Sequence, residues 1–176
     1  KVPVEALYMA FHMCNRFHAD YHVFDIITDL LSNGRSSRFI QTLVQEKKLF
    51  TSIDAYISGS LDEGLLHITG KPASGITLEQ AEEAVWQELD KLKTIPVAEE
   101  ELEKVKNRYE SEQIFNNINY LNLATTLAFF ELLGHAEDIN LEVGKYRSVT
   151  VGQIQDTACR TFVPENCNIL YYKAIK

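Results

Sequence analysis

Two short segments of the chain place similar residues at every second position, which is the pattern of strands with one buried face. The positions that share a face are Leu7, Met9 and Phe11 in "VEALYMAFHM" and Thr51, Ile53, Ala55 and Ile57 in "TSIDAYIS". Turn residues follow at 62–64. A third strand is predicted after them, and in it His67 lies on the opposite face from Leu66 and Ile68. Residues 50–70 are therefore expected to form a β-hairpin.

A helical period of three to four residues follows the first strand. The apolar positions of this period are Val23, Ile26, Ile27, Leu30 and Leu31. The helix is expected to stop at Asn33 and Gly34, where a left-handed C-cap forms easily. A second, short helix is predicted to begin at Ser36 or Ser37, whose hydroxyl groups would cap it.

Two capping boxes predict helices further along the chain. Thr77 with Gln80, and Thr150 with Gln153, supply the hydroxyl and the amide that form such a box. The helix after the first box carries an apolar stripe at Leu78, Ala81, Val85, Leu89 and Leu92. The helix after the second box precedes "NILYYKA", which is predicted to be the last strand.

A longer apolar stripe lies between the two capping boxes. Pro96 and the three acids at 99–101 predict the start of a helix, because carboxylates in the first turn favour the positive end of the helix dipole. The stripe consists of Leu102, Val105, Tyr109, Ile114, Ile118, Leu121, Ala128 and Leu132. Its phase shifts midway, so two stacked or kinked helices are expected before Gly134.

The order of these elements predicts an α+β fold. A strand, two helices, a hairpin, several helices and a final strand give a mixed, mainly antiparallel sheet packed against helices in two layers. A chain of 176 residues with 45% hydrophobic content can bury roughly two-thirds of its unfolded surface. Residues 1–176 are therefore expected to form one domain.

Composition excludes several classes of partner. Acidic residues outnumber basic ones by 25 to 17, and no Lys/Arg cluster forms the basic stripe that a nucleic acid requires, so no nucleic-acid partner is expected. No apolar run approaches the roughly 20 residues that span a bilayer, which indicates a soluble protein. The three cysteines include no C-x-x-C pair, which leaves both a cytoplasmic and a periplasmic location open.

The segment "FHADYHVFD" places His18 and His22 four residues apart and close to Asp25. On one helix these imidazoles could share a metal ion, which would make the chain a small metal-binding module. If Asp20 caps the helix, however, His18 precedes the helix and is out of register with His22. Tyr21 also stands where an H-x-x-E-H motif has its glutamate base. We therefore expect no metal site here, but a solvated helix start with His22 near Asp25.

The other candidate catalytic residues are expected to be structural. His12 lies in the first strand, and His135 follows the glycine at which a helix is predicted to end. No histidine is placed beside Ser36 or Ser37 by local spacing, so neither serine has a general base. P-loop, G-x-S-x-G and dinucleotide-binding motifs are absent, and no catalytic residue is predicted.

The segment "DYHVFDIITDLLSNGRSSRFIQTLVQEKKLFTSIDAYIS" resembles a known family. Its Asp-Tyr helix start, its Leu-x-x-Gly turn and its Ser-Ser-Arg-Phe helix match, in order and spacing, the carboxy-terminal, non-catalytic domain of pitrilysin/insulinase-type zinc peptidases. Those enzymes are relatives of mitochondrial processing peptidase. The likeness continues through residues 77–93, 99–109 and 150–166, so that it covers nearly the whole chain.

The chain departs from that family at the residues that perform catalysis. The family's H-x-x-E-H zinc motif and its acidic third ligand are absent, so this chain cannot bind the family's zinc. Family members also carry an Arg and a Tyr, seven residues apart, that hold the peptide in the transition state. These positions fall at Val44 and Thr51, which cannot donate as a guanidinium or a phenol would at a developing oxyanion.

The resemblance implies a non-catalytic domain of a zinc metalloendopeptidase, the second domain of a longer two-domain protomer. Its role would be to form the wall and scaffold of a peptide-cutting chamber, and the zinc would lie in an amino-terminal catalytic domain outside this chain. The implied partners are that domain, a homologous second protomer and peptide substrates. The alternative is a structural, non-peptidase subunit of the same family within a larger complex, like relatives in respiratory-complex cores.

Overall fold

The computed structural model describes residues 4–59 and 61–174. These residues form strands β1 (Ala6–Met13), β2 (Phe50–Ser58), β3 (Gly64–Pro72) and β4 (Cys167–Tyr172). The α-helices are α1 (Tyr21–Ser32), α2 (Leu78–Thr94), α3 (Glu99–Ile118), α4 (Tyr120–Leu133), α5 (Ile139–Ser148) and α6 (Val151–Thr161). A π-helix covers Phe39–Glu46, and short 3-10 helices cover Ala136–Asp138 and Pro164–Asn166.

The four strands form one antiparallel sheet in the order β2-β3-β1-β4. The predicted hairpin is confirmed, because β2 and β3 pair side by side. Met9 in the central strand β1 lies opposite Ile68 on one side and Ile169 on the other. The first and the last strands of the chain are therefore neighbours, and the predicted α+β fold with an antiparallel sheet is confirmed.

The core lies between one face of this sheet and the helices α1, α2 and α6. Alternation in the strands directs every second side chain into it, as predicted. The buried strand residues include Leu7, Met9, Phe11, Ile53, Ala55, Leu66 and Ile68. The apolar stripes predicted for α1 and α2 are also buried, whereas Tyr8 and Tyr56 are exposed on the opposite face of the sheet.

Local capping signals in the sequence are confirmed for α2 and α6. The Thr77 hydroxyl accepts from the Gln80 N–H and the Gln80 side chain accepts from the Thr77 N–H. The corresponding pair of bonds forms between Thr150 and Gln153. After α1 the chain passes through Gly34, whose φ of +95° is the left-handed conformation that the sequence predicted there.

The helix after Gly34 differs from its prediction in type and in capping. It begins in the predicted region but is a π-helix, with the Lys47 N–H bonded to the Thr42 carbonyl at 2.9 Å. The prediction that Ser36 or Ser37 caps it is wrong, because the Ser37 hydroxyl instead donates to the Gly34 carbonyl at 2.7 Å. The π-helix is followed by Lys48, which has a positive φ of 53°.

Two of the patterns in the sequence include positions that are not buried. Thr51 lies in an irregularity between Phe50 and Ser52 where β2 shifts register, and this irregularity leaves its side chain exposed. The stripe over α3 and α4 is buried at Leu102 and Val105 and half-buried at Tyr109, while its later members are exposed. The prediction of two successive helices is nevertheless confirmed. No described helix is long and apolar enough to cross a membrane.

Candidate functional site

A cluster of charged residues joins the start of α1 to α5. Glu142 accepts a hydrogen bond from Arg16 at 2.8 Å, and its Oε1 atom also lies 3.1 Å from His22 Nε2. Because a carboxylate only accepts, His22 Nε2 must carry the hydrogen of that bond. Lys145 lies 3.3 Å from the second carboxylate oxygen. Glu142 is thus surrounded by three nitrogen donors, and both His22 and Glu142 are buried.

A second polar contact lies behind this cluster, between α1 and α5. The Tyr146 hydroxyl donates to the Asp25 carboxylate. The Tyr146 ring stacks on Tyr109, with ring centroids 3.5 Å apart, and meets the edge of His22 at 4.9 Å. The charged cluster and this contact therefore form one continuous group, which extends from α1 through α5 to α3.

The two buried carboxylates have pKa values shifted in opposite directions. Burial raises the pKa of Asp25, and the hydrogen bond from Tyr146 offsets only part of this effect. Burial also acts to raise the pKa of Glu142, but the hydrogen bond and charge of His22, together with Arg16 and Lys145, outweigh it and lower that pKa. Glu142 is thus the anion that balances the charges of the group. Burial and the nearby Asp25 raise the pKa of Tyr146, which keeps its hydroxyl protonated.

A pocket of about 430 Å³ opens beside the charged cluster. Arg16, His22 and Glu142 form its polar wall, and Phe130 and Leu133 form part of its apolar wall. The polar groups in this wall already bind one another, so the pocket presents no unpaired charge from this set to a ligand. Its chemistry suits a structural clamp between helices better than a reactive centre.

The structure separates the two histidines that the sequence placed four residues apart. His18 precedes α1 and is exposed, and its Nδ1 accepts the Asp20 N–H at 3.1 Å. His22 points inward to Glu142, so the prediction that it is exposed to solvent is wrong, whereas the prediction that it lies near Asp25 is correct. Among the described residues, no group of three His, Cys, Asp or Glu side chains is arranged to bind a metal ion.

Asp20 occupies the predicted N-cap position but makes no capping bond with its side chain. Its carboxylate instead accepts from Arg160 at 3.0 Å, which ties the start of α1 to the end of α6. The capping prediction for Asp20 is therefore wrong, although the predicted start of the helix is correct. His18 lies outside the helix, as predicted, because α1 begins only at Tyr21.

The other candidate residues occupy structural positions. His12 lies exposed in β1, and His135 follows Gly134, at which α4 ends. Val44 lies on the π-helix and packs partly against the core. The Thr51 hydroxyl donates to the Lys71 carbonyl at 3.1 Å, a bond within the hairpin. Val44 and Thr51 thus bring no cationic or phenolic donor to the start of β2.

The outer face of the sheet is the second surface that could contact a ligand. Tyr56 and His67 stack there with ring centroids 5.0 Å apart, and Tyr8 is exposed on the same face. A shallow groove of about 400 Å³ runs over β1, β2 and β3 beside Tyr8, Tyr56 and Asp54. This face offers aromatic surface and hydrogen-bonding groups without the charge clamp seen on the helical side.

Sequence reasoning did not find the residues that surround His22. The partner Glu142 is 120 residues away, and Arg16 is 126 residues from Glu142. No local spacing signals such a contact, since it depends on how α5 packs against α1. The stacked pair Tyr56 and His67 could have been found, because the hairpin register places them opposite each other.

The sequence of the chain matches a known family. Residues 1–109 match the model of the peptidase M16 inactive domain, and this match covers more than half of the 176 residues. The chain therefore belongs to that family, and the resemblance inferred from its motifs is confirmed. A comparison with curated protein sequences found no match.

Solved structures share the fold of the chain. A protease from Helicobacter pylori is 20% identical, with a TM-score of 0.92 over 98% of this chain and 42% of that one. The inactive peptidase domain of a Bordetella parapertussis protein is 18% identical, with a TM-score of 0.87 over 98% of this chain and 94% of that one. Complex III2 from Candida albicans contains a chain that is 15% identical, with a TM-score of 0.81 over 98% of this chain and 43% of that one.

These identities are low, so the structural likeness establishes the fold alone. The chain spans less than half the length of the Helicobacter pylori and Candida albicans chains. It spans nearly all of the Bordetella parapertussis domain. The fold therefore occurs both as a separately solved domain and as part of a longer chain.

Proposed function

We propose that this chain is the non-catalytic second domain of a zinc metalloendopeptidase whose amino-terminal domain binds the zinc and cleaves peptides. The observation that carries the proposal is the match of residues 1–109 to the peptidase M16 inactive domain. The geometry agrees with it, because the polar cluster around Glu142 is internally paired and the described residues offer no metal site. Residues 1–176 would form this one domain of a two-domain protomer.

The proposed role of the domain is to form the wall and scaffold of a chamber that encloses the peptide. The outer sheet face suits a wall, since the groove beside Tyr8 and Tyr56 combines aromatic rings with backbone and carboxylate groups. Val44 and Thr51 stand where the family has its peptide-binding Arg and Tyr. Because Val44 has no side-chain donor and the Thr51 hydroxyl donates to the Lys71 carbonyl, a homologous second protomer would supply that pair.

The test compares the full-length gene product with the 176-residue chain, using a fluorogenic peptide library. The full-length protein is expected to cleave peptides, to lose activity with a chelator and to regain it with zinc, while the chain alone gives no cleavage. Chelator-sensitive cleavage by the chain alone would overturn the assignment. Full-length protein that is folded and zinc-free under all conditions would also contradict it.

The wall role has its own test within the full-length protein. Tyr56→Ala is expected to change which peptides are cleaved, through KM, while leaving zinc content unchanged. The matched control is Ile95→Ala, an exposed apolar residue that follows α2 on the helical side. Equal peptide profiles for the two variants would show that the outer sheet face does not contact substrate.

A structural subunit of a larger complex is the second candidate. The specific observation in its favour is the same fold in a chain of complex III2 from Candida albicans. The two candidates differ upstream of this chain, because a peptidase requires an intact H-x-x-E-H motif and a structural subunit does not. An upstream sequence without that motif, together with a full-length protein that binds no zinc, would favour the structural subunit.

A further inference from the structure

The four strands carry almost none of the charge of the chain. Their sequences contain one acidic residue, Asp54, and one basic residue, Lys71, whereas the whole chain has 25 acidic and 17 basic residues. Because these two charges cancel, the net charge of -8 lies outside the sheet. A ligand on the outer sheet face therefore meets a locally neutral surface, although the chain as a whole is acidic.

The exposed side of the sheet is aromatic and apolar. Residues that lie opposite one another across the strands form two rows on this side. The first row contains Leu170, Tyr8, Thr69 and Asp54, and the second contains Asn168, Ala10, His67 and Tyr56. Tyr8 is 43% exposed, Tyr56 is 45% exposed and Leu170 is 60% exposed. Large aromatic and apolar side chains that are exposed together on one face are typical of a binding surface.

The groove of about 400 Å³ on this face lies between two tyrosines. Tyr8 on β1 borders it on one side and Tyr56 on β2 on the other, with Thr69 and Gly70 of β3 between them. Since neighbouring strands lie about 4.8 Å apart, the backbones of β1 and β2 are about 10 Å apart here. The small residues between the two rings leave room for an aromatic or aliphatic side chain, which both rings can contact.

The charges at the groove do not favour a basic side chain. Asp54 lines the groove, but its carboxylate accepts from the Ser32 hydroxyl at 2.9 Å and from the Ala55 N–H at 3.0 Å. Lys71 also lines the groove, and it is exposed. One hydrogen-bonded carboxylate beside one exposed ammonium leaves no excess negative charge for a basic peptide to bind.

We propose that the groove between Tyr8 and Tyr56 selects uncharged peptide segments that carry aromatic or aliphatic side chains at alternate positions. An extended peptide directs every second side chain to the same side, so these side chains would contact Tyr8, Tyr56 and Leu170 while the intervening ones point away. The inference rests on the proposed function, which makes peptides the ligand of this face, and it goes further by naming the class of peptide.

The experiment is fluorescence anisotropy of labelled peptides with the 176-residue chain, which contains the groove and is expected not to cleave them. Three peptides of equal length in a Ser and Gly background carry, at alternate positions, either Phe and Leu, or Lys, or Glu. The peptide with Phe and Leu is expected to bind more tightly than either charged peptide. The double variant Tyr8→Ala and Leu170→Ser is expected to weaken its binding about tenfold, because the peptide then loses an aromatic and an aliphatic contact.

The matched control removes the same two residue types from the helical side of the domain. Tyr120 and Leu132 are exposed on α4, and the double variant Tyr120→Ala and Leu132→Ser is expected to bind the peptide with Phe and Leu as the native chain does. This control tests whether the peptide simply adheres to any exposed apolar side chain.

The role of charge has a separate variant that gains binding. Lys71→Glu places a second carboxylate at the groove and removes its ammonium group. Binding of the peptide with Lys is expected to tighten about fivefold, while binding of the peptide with Phe and Leu changes little. Because a gain is expected, the result does not depend on a variant that fails to fold. An unchanged affinity for the peptide with Lys would overturn the selection against basic peptides.

Four further results would overturn the inference. The first is absent or equal binding of the three peptides by the native chain. The second is unchanged binding in the Tyr8→Ala and Leu170→Ser variant, and the third is loss of binding in the α4 control. The fourth is a concentration-dependent dimer of the chain, seen by sedimentation and disrupted by the Tyr8→Ala and Leu170→Ser changes, because a second copy would then occupy the face.

Failure of this inference can be told apart from failure of the proposed function. Anisotropy reports the peptide preference of this face, whereas zinc content and peptide cleavage report the activity of the full-length protein. Chelator-sensitive cleavage by the full-length protein, without selective binding by the chain, would refute the inference and leave the peptidase assignment in place. Selective binding by the chain, together with a full-length protein that holds no zinc, would keep the groove and favour the structural subunit.

Discussion

The Arg16 guanidinium donates to the Glu142 carboxylate at 2.8 Å, across 126 residues of sequence. Glu142 is buried and Arg16 is largely so, with 19% of its side chain exposed. Replacing Glu142 with Ala leaves the Arg16 charge inside the protein without its anion. We expect this change to lower the free energy of unfolding by about 3 kcal/mol, measured by urea denaturation.

A double-mutant cycle separates this contact from the general cost of each change. Arg16→Ala combined with Glu142→Ala is expected to cost less than the sum of the single changes, because the Arg16 charge is then absent and cannot be left without its anion. The control is Arg160→Ala, which removes the partner of Asp20 at a side chain that is 65% exposed. That loss is expected to stay below about 1 kcal/mol. Additive costs in the cycle would contradict the proposed pairing.

Asp25→Asn is expected to make the stability of the chain less dependent on pH. Burial raises the pKa of Asp25 above its ordinary value of 3.8, so the folded protein holds this proton more tightly than the unfolded chain. The native chain therefore loses stability relative to the variant as pH rises from 3.8 through the folded-state pKa. Urea denaturation across this range should show the stability of the variant rising relative to that of the native chain, with a plateau once the pH exceeds the folded-state pKa of Asp25.

The Tyr146 hydroxyl provides the control for this pH effect. It lowers the pKa of Asp25 by donating to its carboxylate, so Tyr146→Phe should increase the pH-dependent loss. In a background that already carries Asp25→Asn, the same change should leave the pH dependence unaltered. A constant difference in stability between the native chain and Asp25→Asn at every pH would contradict the assignment.

Ser32 protects the free edge of β2. Its hydroxyl accepts the Ala55 N–H at 2.9 Å and lies 3.1 Å from the Ala55 carbonyl, two groups that β3 does not reach. Ser32→Ala should cost about 1 kcal/mol, because the Ala55 carbonyl then loses this donor, while the Ala55 N–H keeps the Asp54 carboxylate as an acceptor at 3.0 Å. Hydrogen exchange at Ala55 should accelerate as well. Ser111→Ala on the exposed face of α3 is the control, with an expected change within about 0.5 kcal/mol.

Lys48 is in a left-handed conformation, with φ of 53°, between the π-helix and β2. Glycine adopts this conformation without a steric penalty, so Lys48→Gly is expected to stabilise the chain by about 0.5–1 kcal/mol. Lys48→Ala keeps a Cβ atom and should bring no such gain. Thermal denaturation of the three proteins gives the comparison, and equal melting temperatures for the glycine and alanine variants would show that the backbone is not strained.

The elements that sequence patterns predicted are those set by neighbouring residues. Strand alternation around Met9, the capping boxes at Thr77 and Thr150, and the left-handed turn at Gly34 each depend on a few consecutive positions. Such signals act before any tertiary contact forms, so they can be read directly. The antiparallel hairpin followed from the same kind of local information.

The features that sequence patterns missed depend on packing across the chain. His22 was expected in solvent because nothing near it indicated Glu142, and the exposure of Thr51 depends on a shift in strand register. The apolar period over Leu121 and Leu132 predicted a buried face, but periodicity does not say whether the covering surface lies in the same folded unit. For that stripe, the period correctly predicted the helices but not the exposure of their apolar side chains.

Among the residues that the structure describes, helices cover one face of the sheet, and the other face is exposed to solvent. A domain with one covered and one exposed sheet face does not enclose a volume by itself. A flexible polymer can therefore be confined only between this face and further domains that face it. Selectivity for the length of such a polymer would then depend on the distance between the exposed sheet faces of the domains rather than on the residues of any single face. A small change in the tilt of one domain against another would alter the length of polymer that fits between them. No residue of the exposed sheet face would need to change.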